Sequence, residues 1–211
     1  LLSLALLFAA IAAVSLTVIV IDPFQVYRLA TRYLPPIDRT TQVYANAGIV
    51  RNYDYDSAIV GTSVTENFRP TQMDTLLGGR FIKLCTSAGT AYNHALLMNL
   101  AFQTHDVRRI VYGLDVYSLI ARLDQTGSDV PLYLYDNNPF NDVSYWLNRS
   151  VLASFLPRCL KAWGQHQDDS IRDSMYCWAG RDEYGEAALY NASFTPPENP
   201  IPADTYIPQA Q

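Results

Sequence analysis

An α/β fold built on a parallel sheet, preceded by one membrane-spanning helix, is what this sequence predicts, and three observations predict it. Residues 1–21, "LLSLALLFAAIAAVSLTVIVI", carry no charge and only Ser3, Ser15 and Thr17 as polar side chains. Three later runs of strand length, "YDSAIVG", "RFIKLCTS" and "RRIVYGLD", are rich in β-branched and aromatic residues, and each ends in a Gly, Ser or Asp turn signal. Helical patterns separate them, and strand, helix, strand, helix, strand argues for parallel pairing with helices on the faces.

At about 1.5 Å per residue the first segment reaches about 30 Å, the thickness of a bilayer's hydrocarbon core. A cleaved signal peptide is the competing reading. Its apolar stretch usually runs about 7–15 residues, and no A-x-A-like site precedes Asp22-Pro23. A retained anchor is expected over 1–21, with no flanking charge inside it to set its orientation. Residues 22–53 mix Pro pairs with aromatic side chains and read as an ordered juxtamembrane arm.

Residues 54–123 hold the α/β pattern. "RPTQMDTLLGG" has Pro70 near a helix start and Gly78-Gly79 at its end, and "AYNHALLMNLAFQT" spaces its apolar residues almost helically. Residues 124–211 read as an acidic insertion and the start of a C-terminal part. Within them "SYWLNRSVLASFLPRCLKAWG" is expected to be an amphipathic helix broken at Pro157, and five Pro crowd the last 16 residues. Three strands alone leave open edges, so the sheet is expected to be truncated, the native chain continuing past Gln211.

The net charge is −5, unevenly spread: residues 22–123 hold 10 basic and 8 acidic side chains, residues 124–211 hold 5 and 12. Neither part has a basic stripe, which argues against nucleic acid as a partner. The 15 tyrosines suit either a sugar-facing surface or half-buried packing. Cys159 and Cys177 would close a bridge or stay free with equal plausibility, while Cys85 reads as a buried strand residue. Asp168, Asp169 and Asp173 lack the spacing of a calcium loop and read as a solvated acidic loop. Asn148-Arg149-Ser150 and Asn191-Ala192-Ser193 match a glycosylation triplet that arises often by chance.

In parallel sheets, ligands meet the loops at the carboxyl ends of the strands, here 61–63, 86–89 and 113–115. Ser63 follows the first strand directly. Ser63-Val64-Thr65-Glu66 fits a capping box, worth about 1 kcal/mol and requiring no chemistry. The same position also holds a serine oxygen at a sharp turn, with backbone amides near a developing oxyanion. A flavodoxin-like phosphate site is a third reading of the hydroxyl-rich run Gly61–Thr65.

"DSAIVGTS", residues 56–63, resembles the first block of the SGNH (GDSL-type) hydrolases, whose last serine is the nucleophile. Thr86-Ser87-Ala88-Gly89 is similar to their second block, whose glycine amide lines the oxyanion hole, and Gly113-Leu114-Asp115-Val116 to their third. The resemblance covers residues 56–116 and implies a parallel three-layer, flavodoxin-like SGNH-type sheet. With one anchor and "GTSVTENFRP" in place of GDSL, the chain is most similar to envelope proteins of the teichoic-acid D-alanylation (DltD-like) and alginate-acetylation types.

That resemblance implies an extracytoplasmic domain on a bacterial envelope, acting in acyl transfer to or from a surface polymer. The partners it implies are an envelope polymer or acyl carrier and a membrane-bound O-acyltransferase. It calls for no cofactor and no metal. Ser63 would be the nucleophile, with Gly89, Asp115, Thr62 and Asn67 lining the site. Asp115 stands where the family has an oxyanion-hole asparagine, and an ionised carboxylate there would repel negative charge. The family's Asp-x-x-His block does not occur in residues 1–211. His94 is the one histidine placed to act as base, although a polar residue in a helix's first turn explains it more simply. A tethered, non-catalytic binding partner of the acyltransferase is the alternative function.

Overall fold

The computed structural model describes residues 2–120 and 130–178, and the side chains of Tyr117 and Ile120 lie outside that description, as does Asn191. Helix α1 (Leu2–Ile21) is long and apolar enough to cross a membrane. Its last turn is tied to residues 28–33. The Arg28 guanidinium donates to the carbonyls of Ile19 and Val20, and the Tyr33 hydroxyl donates to those of Ile21 (2.5 Å) and Asp22 (2.7 Å), so the orphan acceptors of the helix end are met.

Asp22 adopts φ 53° at that end and is fully buried. Its carboxylate accepts the amides of Val26 (3.0 Å), Tyr27 (2.8 Å) and Arg28 (3.2 Å) and the Tyr145 hydroxyl (3.1 Å). Burial nevertheless wins over these donors and pushes its pKa up to about 6. A raised carboxyl pKa means that the folded state holds the proton more tightly than the unfolded chain. Asp22 therefore contributes most at low pH, and its contribution is lost as pH rises from about 4 through about 6. Asp22→Asn is expected to abolish this pH dependence in paired denaturant titrations at several pH values, while costing about 1–3 kcal/mol because its Nδ2 would face donors where a carboxylate oxygen accepts two.

Helix α2 (Gln42–Asn52) lies inside the stretch that reads in sequence as a juxtamembrane arm, and it packs on the sheet. It crosses the 24–25 backbone so closely that a Cβ on Gly48 would stand 1.9 Å from the Phe24 carbonyl oxygen. Asn52 reinforces the crossing by donating to the carbonyls of Gln25 (2.7 Å) and Val26 (3.1 Å). Gly48→Ala is expected to cost about 1–3 kcal/mol, read from the urea midpoint, because the obstacle is backbone that cannot rotate away.

The three strands form as expected: β1 (Ser57–Gly61), β2 (Phe81–Cys85) and β3 (Arg109–Gly113), all parallel, in the order β2-β1-β3. The register pairs Gly61 with Cys85 on one side and Gly113 on the other, so all three strands end at one level. Ala58, Val60, Ile82, Leu84 and Ile110 share one face by alternation and meet α2 and α4 (Ala91–Thr104) through Ala45, Ile49, Leu97 and Leu100. The opposite face meets α3 (Pro70–Leu77) and the single-turn α8 (Ile171–Ser174). Pro70 starts α3 and Gly78 ends it at φ 69°.

Cys85 is buried as expected, and Cys159, buried, and Cys177, exposed, are both free, which decides between the two readings of that pair. Two expectations are corrected. The 144–164 stretch is not broken at Pro157. Its interruption lies at Leu147-Asn148, between the single turn α6 (Val143–Trp146) and a helical run ending in α7 (Leu156–Lys161). A π-helical turn over Val151–Phe155 precedes Pro157 and removes the ordinary i−4 pairing that the ring would obstruct. The acidic loop is not simply solvated. Asp169 pairs with Arg80 (2.5 Å) and Arg172 (2.6 Å), and Asp173 accepts the Thr71 amide (3.0 Å) and hydroxyl (2.6 Å), which fastens α8 over α3. Tyrosines 33, 53, 55, 145 and 176 are buried, the packing use. Asn148 turns its Oδ1 onto the amides of Ser150 (2.8 Å) and Val151 (3.2 Å).

Candidate active site

At the end of β1 the chain turns within a single 3-10 turn, Ser63–Thr65. The turn folds back over two glycines that face each other in register. A Cβ on Gly113 would come 2.2 Å from Thr65 Cγ2, and one on Gly61 would come 2.7 Å from it, so only glycines leave a seat for Thr65. Thr65 is fixed there by donating to the Thr62 carbonyl (2.8 Å) and by touching Cys85 Sγ (3.1 Å). The predicted phosphate loop is thereby altered: no α-helix starts at Ser63, and the Thr65 and Glu66 amides are bound to Thr62 O (3.0 Å) and Ser63 O (3.3 Å).

Ser63 is half-buried, and its hydroxyl makes no hydrogen bond among the described residues. It is not a cap. The expected reciprocal partner, Glu66, is fully buried and turned elsewhere: it takes Arg39 Nε (2.8 Å), Gln42 Nε2 (2.7 Å) and Ser87 Oγ (2.5 Å). A capping box does exist, one loop later, where Thr90 Oγ1 accepts the Asn93 amide and Asn93 Oδ1 accepts the Thr90 amide (2.9 Å) at the start of α4.

Glu66 thus clamps the β1 loop to the β2 loop. Gln42 completes the clamp by accepting the Ser87 amide (2.7 Å), and Lys83, buried in β2, donates to the Glu66 carbonyl (2.8 Å) and the Asp173 carbonyl (2.8 Å). Burial holds the Lys83 pKa below its ordinary value. Arg39 and Gln42 carry no motif, and their role was not visible in sequence: the contacts span 27 and 24 residues.

The clamped β2 loop is a tight turn closed by the Gly89 amide on the Thr86 carbonyl (2.9 Å), with Ala88 at φ 53°. A non-glycine residue in that region costs about 1 kcal/mol. The Gly89 amide, expected to serve an oxyanion, is therefore occupied, and Ala88 takes its place at the surface. Thr62, Ser63, Val64, Ala88 and Asp115 line an open cleft of about 380 Å³ at the carboxyl ends of β1, β2 and β3. The amides of Ser63 and Ala88 make no hydrogen bond among the described residues.

Asp115 follows β3. Its carboxylate accepts the Thr62 hydroxyl and the Ser118 amide (2.9 Å), starting the short helix α5 (Val116–Ile120). The Thr62 hydroxyl, before any other cause, holds the Asp115 carboxyl below the usual carboxylate range, so it is ionised at neutral pH. It orients Thr62 rather than donating to a substrate. Asn67 lies away from the cleft wall, its Oδ1 accepting the Trp178 amide (3.1 Å).

His94 is fully buried under the Gly89 turn, with Nδ1 on the Tyr112 hydroxyl (3.0 Å), and it does not line the cleft. Burial lowers its pKa against the pull of Asp115, keeping the ring neutral. His105 pairs with the Tyr53 carbonyl (3.0 Å) at the far end of α4, and His166 with the Thr31 carbonyl (2.9 Å) beside α1. No group of three or more metal-binding side chains occurs among the described residues. The chain matches no family model, no curated protein and no solved structure.

Proposed function

We propose that this is a membrane-anchored, SGNH-like protein of the extracytoplasmic envelope that takes part in acyl transfer to or from a surface polymer, with Ser63 as nucleophile. The observation that carries the reading is the Ser63 hydroxyl at the carboxyl end of the central strand, which, like the Ser63 and Ala88 amides on the same cleft, makes no hydrogen bond among the described residues. The strand order β2-β1-β3 is the one a doubly wound sheet of that type begins with. Ser63 Oγ bonds to the acyl carbon, the ester's leaving oxygen keeps the electron pair of the broken bond, and the hydroxyl proton passes through water to that leaving oxygen. The Ser63 and Ala88 amides receive the negative charge that collects on the carbonyl oxygen.

Among the described residues Asp115 is the one titratable side chain on the cleft wall, and its lowered pKa makes it a poor base. That observation favours a second reading, in which the cleft binds a polymer or acyl carrier for a membrane-bound O-acyltransferase without reacting. p-Nitrophenyl acetate separates them. The catalytic reading expects nitrophenolate release and an acetyl group on the Ser63 peptide, both absent in Ser63→Ala. The binding reading expects neither, together with cells in which Ser63→Ala preserves polymer acylation and deletion of residues 22–211 abolishes it.

A further inference from the structure

The end of α1 is not separate from the rest of the protein. Leu160 and Trp163, each 52% exposed, face a groove of about 440 Å³ whose other wall is Leu16, Thr17, Val20 and Ile21 of α1. Four wall residues of the groove belong to the membrane-length helix, and Leu16 lies about 7–8 Å below its end at the helical rise. Leu160 and Trp163 therefore stand at the same depth as the last turns of α1.

Their placement is fixed. Tyr33 stacks on Trp163 at 6.3 Å and bridges to it, the Gly164 amide donates to the Arg32 carbonyl (2.8 Å), and Cys159 packs with Ala30, Tyr33 and Ile21 in a small core of its own. A second hollow, about 290 Å³, adjoins the first and shares Val20, Ile21 and Trp163, and its further wall includes Arg28, Thr31, Arg32 and Tyr33. Apolar wall, tryptophan at the boundary and arginines beyond it follow the order of hydrocarbon, interface and headgroup.

We propose that α7 and Trp163 form a second, interfacial contact with the bilayer, which seats an acidic phospholipid: acyl chain in the α1-α7 groove, phosphate beside Arg28 and Arg32. The inference rests on α1 spanning a membrane, because continuity with that helix is what assigns the groove to lipid. It holds the domain against the membrane surface instead of leaving it to swing on a single helix.

The test uses the full chain in phosphatidylcholine vesicles containing a minor fraction of phosphatidylglycerol, with acyl chains brominated near the headgroup on one lipid or the other. The Trp163 signal is the emission difference between the parent chain and Trp163→Phe. Expected is quenching by brominated lipid, with phosphatidylglycerol favoured about fivefold for each engaged basic side chain. Arg32→Gln should cut the preference for phosphatidylglycerol about fivefold; its side chain has no ion pair among the described residues, so the fold should survive. Equal quenching by both lipids in the parent overturns the headgroup assignment. The anchor is checked with Phe8→Cys in a Cys177→Ser background and a membrane-impermeant maleimide. Phe8→Cys protected while Trp163 is quenched by aqueous acrylamide and not by lipid overturns this inference alone; a reactive Phe8→Cys overturns the anchor and the inference together.

Discussion

Glu66→Ala is expected to lower the unfolding free energy by about 3–4 kcal/mol, the largest stability effect of any single change in the site. The wild-type carboxylate is fully buried and receives three donors from three separate elements: Arg39 in the arm, Gln42 in α2 and Ser87 in the β2 loop. Removing it leaves the Gln42 amide and the Ser87 hydroxyl without an acceptor, at about 1–3 kcal/mol for each buried donor. The Arg39 side chain is 48% exposed and returns to water, so its loss adds little. Glu66→Gln keeps an acceptor and should cost about half as much. Chemical denaturation of the two variants checks both the size and the order. A loss below about 1 kcal/mol in Glu66→Ala would show that the two loops are held by something else. Because Ser87 precedes Ala88, the same variant should also displace the second wall of the cleft and weaken any acyl transfer at Ser63.

Ser63→Ala is expected to do the opposite: stability unchanged within about 0.5 kcal/mol, and acyl transfer reduced on the order of a thousandfold or more. The first half follows from the Ser63 hydroxyl having no hydrogen bond among the described residues. The second follows from the loss of the atom that attacks. The pair of measurements is diagnostic, since a helix cap removed at this position would cost about 1 kcal/mol and leave chemistry untouched.

The strands were legible because each is a β-branched or apolar run closed by a turn residue, and their parallel order followed from the helices between them. Helix α2 was not legible. Its buried positions include Gln42, Asn46 and Gly48, where a sequence pattern expects apolar side chains. Those residues are inside because each has a distant partner: Asn46 reaches the Cys85 carbonyl (2.9 Å) and the Tyr176 hydroxyl (2.9 Å), and Gly48 admits the Phe24 backbone. The local spacing of Ser63 and Glu66 suggested a cap, yet an ion pair with Arg39 and two neutral donors outweighed the return to a cap amide. Gly89 looked like the oxyanion glycine by order along the chain, but the turn that places the loop consumes its amide. Asp115, troublesome as an oxyanion donor, is accounted for once Thr62 and Ser118 are seen to satisfy it. For α2, Glu66 and the Thr62–Asp115 pair the deciding contact spans 21 residues or more, outside the window within which sequence spacing carries information, whereas the Gly89 turn is closed locally on Thr86.

If the Ser63 oxygen is presented as a reactive atom, a fluorophosphonate probe should find it. The full chain, kept in mild detergent or vesicles, is treated with the probe and its labelled peptide is mapped by mass spectrometry. Adduct is expected on Ser63, none in Ser63→Ala, and a slower rate in Glu66→Ala. A folded parent chain that takes up no label, or takes it up at another residue, would contradict a reactive Ser63.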